Sequence, residues 1–255
     1  MSKIIVIANQ KGGVGKTTSC INLAVHVSKN NRKVLLIDLD PQGNSCSGLG
    51  VSNSLKKQGI YDVFINTRNI IDVIIPSRYE NLDIIPVSMD FAGAQAELFD
   101  KKGKEFIIRN ALQDIRDEYD LILLDTPPSL GLFTLNGLTA ADSVLIPLQS
   151  EFYAMEGLAQ LLKAIKLIKS ATNPTLEIEG VLITMFDQRT NLSKEVLNEA
   201  KKFFNDKVYE SIIPRNIRLS EAPSHGIAIY EYDAQSQGAR SYSQFGDEFI
   251  RKAKI

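Results

Sequence analysis

Short apolar runs rich in β-formers alternate along this chain with segments of helical spacing, and that alternation restricts the fold more than any other feature. The runs cover residues 4–8, 34–37, 82–87, 121–124, 144–148, 180–185 and 208–213. Most lack a period of two, as strands buried on both faces of a parallel sheet do. Between them, residues 17–29, 103–117, 192–205 and 239–252 read as helices. Leu158, Leu161, Leu162, Ile165 and Ile168 form a helical apolar stripe, with Lys163, Lys166 and Lys169 turned outward. Repeated strand–helix alternation implies right-handed βαβ crossovers with helices on both faces of the sheet. The expected fold is therefore α/β: a single domain over residues 1–255, with a mostly parallel twisted sheet. Ligands of such sheets lie beyond the carboxyl ends of the strands, so chemistry is to be sought just after the apolar runs.

After the first run comes Gln10-Lys11-Gly12-Gly13-Val14-Gly15-Lys16-Thr17-Thr18, and then a helix. Gln10 stands where the standard phosphate-loop pattern has its first glycine, and Lys11 is an additional cation. The physical needs of a phosphate cradle remain met. Three glycines allow the backbone to approach closely and turn its N–H groups toward anionic oxygens, and the helix N-terminus adds partial positive charge. Lys16 is placed to neutralise β- and γ-phosphate oxygens, and Thr17 to offer its hydroxyl to Mg²⁺. Gly12, Gly13, Val14, Gly15 and Thr18 complete the ATP-binding stretch.

Two further strands end in acids. The second run leads into Asp38-Leu39-Asp40-Pro41-Gln42-Gly43-Asn44, where carboxylates two residues apart on extended chain share a direction. Asp38 is expected near Mg²⁺ and Asp40 beside the attacking water, which it orients rather than deprotonates because an ordinary aspartate is too weak a base. The fourth run ends at Asp125-Thr126-Pro127-Pro128-Ser129-Leu130-Gly131. An apolar strand capped by aspartate suits a metal's water shell, and the proline-rich turn after it suits a segment responsive to the terminal phosphate.

The loop with its extra Lys11 resembles the deviant Walker A ATPases, which include partition proteins of the ParA/Soj type, MinD proteins and nitrogenase iron proteins. The Asp-x-Asp-Pro-Gln-Gly-Asn and Asp-Thr-Pro-Pro-Ser-Leu-Gly segments, and the stretch Ile213-Pro214-Arg215-Asn216-Ile217-Arg218-Leu219-Ser220-Glu221-Ala222-Pro223, are similar to those of ParA/Soj proteins in particular. The resemblance runs from Lys3 to about residue 250. It implies an ATPase that closes as an ATP-dependent homodimer, with Lys11 reaching across to the phosphates of the other copy. It also implies Pro214 and Asn216 beside the adenine, Arg189 and Arg218 on nonspecific double-stranded DNA, and a ParB-like partner that stimulates hydrolysis. Location would be cytoplasmic, on the nucleoid when ATP is bound, without a membrane partner and without an N-terminal helix-turn-helix.

Net charge is −1 and the pI about 6.2, so DNA binding would need a local basic patch. Lys194, Lys201, Lys202 and Arg215 add candidates for it, with Arg240, Arg251, Lys252 and Lys254 later in the chain, nearly balanced by acidic neighbours such as Glu195, Glu199 and Glu221. Two alternatives stand beside partition. A MinD-like membrane-cycling regulator needs an amphipathic C-terminal anchor, whereas the tail from Phe245 carries Asp247 and Glu248 within its apolar stripe and reads as a helix docked on the core. A redox or metal-carrier enzyme needs paired cysteines, and Cys20 and Cys46, the only two, form no such motif. Neither a signal peptide nor an apolar run of membrane-spanning length is visible.

Overall fold

The computed structural model describes residues 2–52, 58–88, 90–151 and 154–255. In chain order the elements are β1 (Lys3–Ile7), α1 (Lys16–Lys29), β2 (Val34–Asp38), α2 (Asn44–Gly48), α3 (Ile60–Phe64), β3 (Ile75–Pro76), β4 (Leu82–Ile85) and α4 (Phe91–Glu97). They continue with α5 (Ile107–Leu112), β5 (Leu121–Asp125), α6 (Leu132–Ala140), β6 (Ser143–Gln149), α7 (Ala154–Ala171), β7 (Glu177–Thr184), α8 (Asn191–Phe204), α9 (Arg218–Glu221), α10 (Ile229–Tyr232) and α11 (Gln237–Ala253).

Among the described residues the sheet runs β3-β4-β2-β5-β1-β6-β7, parallel except for the short β3–β4 pair. The expected mostly parallel α/β architecture is thus present. β2, β5 and β6 are buried at every residue, which accounts for their uninterrupted apolar sequences. Helix α1 packs over β2 and β5 with α11 against it, while α5, α6 and α7 form a second group that contacts β1 and β6. β5 and β6 flank β1 on opposite sides, so the winding direction reverses there. Such a reversal opens a crevice at the carboxyl ends of the strands, directly beneath the loop that follows β1. Among the described residues no helix is long and apolar enough to cross a membrane.

Two expected elements differ. Residues 208–213 do not form a strand; they touch β7 through one bridge at Val181–Val208 and through the Tyr209 and Ile213 N–H groups, which donate to the Val181 and Ile183 carbonyls at 3.0 and 2.9 Å. The N–H groups of Glu210 and Ser211 donate to the carboxylate of Glu248 on α11, each at 2.9 Å, which diverts the Ser211 N–H that would otherwise continue the pairing with β7 between Tyr209 and Ile213. Residues 103–117 do not form one helix either, but a 3₁₀ turn, α5 and a second 3₁₀ turn. Asn136 of α6 explains the interruption: its Oδ1 accepts the Ile108 N–H at 3.2 Å and its Nδ2 donates to the Lys104 carbonyl at 2.8 Å. The amide occupies groups that a continuous helix would pair internally.

Candidate functional site

The loop from Asn9 to Gly15 is held at several points. Asn9 Nδ2 donates to the Pro147 carbonyl at 2.7 Å, and Asn9 Oδ1 accepts the Lys11 N–H at 3.0 Å. On the far side, the Thr184 hydroxyl at the end of β7 donates to the Val14 carbonyl at 2.8 Å. Gly13 and Gly15 have φ of 73° and 89°, a region that a β-carbon disfavours, so these two glycines are demanded by the loop's shape. Gly15 is the N-cap of α1, and the first N–H groups of that helix open toward the crevice.

A cavity of about 710 Å³ lies there, lined by Gly12, Gly13, Gly15, Lys16, Thr17 and Thr18 together with Asp40, Pro128, Pro214 and Asn216. Most of the expected site residues are thus brought together. Val14 is buried behind the loop and contributes its backbone. Asp38 and Asp125 lie below the cavity wall, fully buried. They are direct neighbours because β2 and β5 pair in parallel with Asp38 opposite Asp125. Of the two carboxylates two residues apart, Asp40 lines the cavity and Asp38 is buried beside Asp125.

Burial pushes both Asp38 and Asp125 above the usual carboxylate range, and the Asp125 charge adds to the effect on Asp38. Hydrogen bonds oppose this. Asp38 accepts the N–H groups of Asp40 and Cys46 at 3.1 and 3.2 Å. Asp125 Oδ2 accepts the Ser45 hydroxyl at 2.7 Å, and Thr17 is a second donor to the same carboxylate. Asp125 Oδ1 is buried without a hydrogen-bond partner. Lys16 is 6% exposed, its ammonium 3.3 Å from the Lys11 carbonyl. Burial lowers its pKa against the opposing pull of Asp125 and Asp40.

Three more of the expected residues, Lys11, Arg189 and Arg218, do not line this cavity. The Lys11 ammonium pairs with Glu151 at 2.9 Å. Arg189, its side chain 88% exposed, makes a two-pronged contact with Asp187 through Nε at 2.9 Å and Nη2 at 2.7 Å. Arg218 on α9 pairs with Glu221 at 2.9 Å and Asp233 at 3.5 Å. Ser45, Thr184 and Glu151 were invisible in the sequence because each meets its partner only through the fold. Cys20 and Cys46 are both buried and form no disulfide, and burial raises the Cys20 thiol pKa, the opposite of what a reactive cysteine needs. On α11, Tyr242, Phe245, Phe249 and Ala253 are buried, so its apolar face is docked on the body of the protein, as expected for the tail.

Residues 2–178 match a family of AAA domains. The chain is 50% identical over 248 residues to the sporulation initiation inhibitor protein Soj of Bacillus subtilis, covering 97% of this chain and 98% of that one. It is 48% identical to the chromosome-partitioning ATPase Soj of Treponema pallidum, covering 99% and 98%. Among solved structures, cobyrinic acid a,c-diamide synthase of Mycobacterium smegmatis with bound ADP and magnesium superposes with a TM-score of 0.86 at 33% identity, covering 100% and 96%. A plasmid partition protein of Borrelia burgdorferi gives 0.79 at 30% identity, covering 98% and 99%. The septum site-determining protein MinD of Pyrococcus horikoshii, complexed with Mg-ADP, gives 0.81 at 26%, covering all of both chains. Near-full-length identity to several partition proteins, together with the Lys11-bearing phosphate loop and its two acidic strand ends, establishes that the chain belongs to the Soj/ParA family of chromosome-partitioning ATPases.

Proposed function

We propose that this chain is an ATP-driven switch for DNA partition, in which ATP closes a homodimer, the dimer holds DNA without sequence preference, and hydrolysis releases it. ATP enters the 710 Å³ cavity with its phosphates against the N–H groups of residues 12–18 and its adenine toward Pro214 and Asn216. Lys16 meets the β- and γ-oxygens, and Asp40 orients the attacking water. A hard divalent cation suits the oxygen donors gathered below: the Thr17 hydroxyl, Asp38, and Asp125 with its unpartnered Oδ1. Mg²⁺ held there supplies charge that offsets the β- and γ-phosphates. Lys11 acts on the partner copy's phosphates, as an arginine finger does when supplied in trans.

The observation that carries the switch reading is the suspension of α2 from the two buried acids. Ser45 binds Asp125 and the Cys46 N–H binds Asp38, so whatever changes those carboxylates is felt directly by residues 44–48. DNA contact at Arg189 and Arg218 competes with Asp187, Glu221 and Asp233 and is therefore weak in one copy. Two copies on one body raise avidity without new contacts, and the binding falls steeply with salt. A ParB-like partner is expected to accelerate hydrolysis. The test is co-sedimentation with DNA and, separately, with liposomes, in ATP, ADP or no nucleotide. DNA pelleting only with ATP is expected; equal DNA binding in all three states, or ATP-dependent liposome binding, refutes the reading.

A further inference from the structure

Lys11 belongs to the phosphate loop by its backbone but not by its side chain. Its N–H is bound by Asn9 and its carbonyl accepts the Lys16 ammonium, whereas its own ammonium is committed to Glu151 Oε2 at 2.9 Å. Glu151 is set in place independently of that pair. Its N–H donates to the Gln149 carbonyl at 2.9 Å and its carbonyl accepts the Ala154 N–H at 3.0 Å, while the preceding Ser150 N–H reaches the Thr184 carbonyl at 3.3 Å. The other carboxylate oxygen, Oε1, accepts from the Gln149 amide and from Arg215 Nη2, the latter at 3.4 Å. Opening the Lys11–Glu151 pair thus leaves the loop's backbone bonds intact and leaves Arg215 to neutralise the carboxylate. With side-chain exposures of 31% and 44%, both partners are accessible to exchange.

The geometry points to Glu151 as a holding residue for Lys11: in the free chain it keeps the lysine on its own subunit, and the pair must open before Lys11 can serve another copy. This rests on the dimer reading above and adds a threshold to it. Exposed ion pairs shift an equilibrium by about 1.4- to 5-fold, and each dimer opens two of them. Removing Glu151 is therefore expected to tighten the ATP-bound dimer by about 2- to 25-fold. A carboxylate that instead contacted the partner across the interface would show the opposite sign.

Sedimentation velocity over a range of protein concentrations, with a non-hydrolysable ATP analogue and Mg²⁺, measures the dimer dissociation constant of the wild type, Glu151→Gln and Glu151→Ala. Both variants are expected to dimerise more tightly, with the analogue affinity of the monomer unmoved. Glu151→Asp, which restores the charge on a shorter arm, should fall between them and the wild type. Urea unfolding of each variant establishes that the comparison is made between folded proteins. A wild-type dimer with an unshifted or weakened constant in Glu151→Gln and Glu151→Ala overturns the inference alone. A wild type that stays monomeric with the analogue removes the dimer reading, and this inference with it.

Discussion

Glu248 offers the sharpest test of how the C-terminal helix supports the nucleotide cavity. It is 4% exposed, yet its carboxylate accepts the Glu210 and Ser211 N–H groups at 2.9 Å each and lies 3.0 Å from the Lys252 ammonium. These bonds fasten the approach to Pro214 and Asn216 onto α11. Each hydrogen bond to a charged group contributes about 1.5–3 kcal/mol, but exposed Glu210 recovers part of its loss from water. Glu248→Ala should therefore cost about 2–4 kcal/mol, or about 4–15 °C in Tm for a domain of this size. Burial opposes ionisation of Glu248, but the two N–H donors and Lys252 outweigh it, and its pKa lies below the ordinary 4.5. A group depressed on folding stabilises fully above its unfolded value and loses that contribution as pH falls through its folded value. The gap between wild type and variant in urea melts should stay level from about pH 8 to 5 and shrink below about 4.5. Weaker ATP affinity with unchanged tripolyphosphate affinity should accompany it, since the phosphate loop makes none of these bonds. A gap under about 0.5 kcal/mol, or one that persists at low pH, refutes the reasoning.

Lys16→Ala removes a charge-assisted interaction with phosphate worth about 1.5–3 kcal/mol. Calorimetry should show ATP affinity reduced by about 10- to 150-fold, and an unchanged affinity counts against its role. Asp40→Ala should leave ATP binding intact, lower turnover by about a hundredfold through loss of water positioning, and trap a dimer visible by light scattering; a monomer at saturating ATP would contradict this. Arg189→Ala should weaken DNA binding in gel shifts while sparing dimerisation. Because each dimer then neutralises two fewer phosphates, the slope of log K against log salt should fall by about 1.8, and an unaltered slope removes Arg189 from the patch.

What could be read from the sequence was whatever the chain writes contiguously. The central strands declare themselves because burial on both faces leaves no polar alternation, and the site's residues declare themselves because the phosphate loop and Asp40 closely follow a strand and Asp125 ends one. Helix α6 was illegible for the complementary reason. Nearly all of it is buried, so no polar stripe marks its period. Residues 208–213 carry the composition of a strand, but a carboxylate supplied 37 residues later takes the Ser211 N–H that a ladder with β7 would need. The Lys11–Glu151 pair spans 140 positions and the Thr184–Val14 bond 170; such contacts exist only once β6 and β7 are in register.

In the proposed reading, the same packing that hides these partners suits the site to a switch rather than to a static pocket. Two neighbouring strands of a parallel sheet present Asp38 and Asp125 side by side in a fully buried layer. Burial raises both pKa values, which means that their ionised forms cost free energy where they stand. Lys16, itself penalised by burial, offsets part of that cost, and a divalent cation bound with nucleotide offsets more. With the cation at Asp38 and Asp125 as proposed, ligand binding would stabilise the folded chain by mass action at the two carboxylates from which α2 hangs. Apolar residues at 38 and 125 would give a more stable sheet, but they would leave residues 44–48 with no means of registering what occupies the cavity.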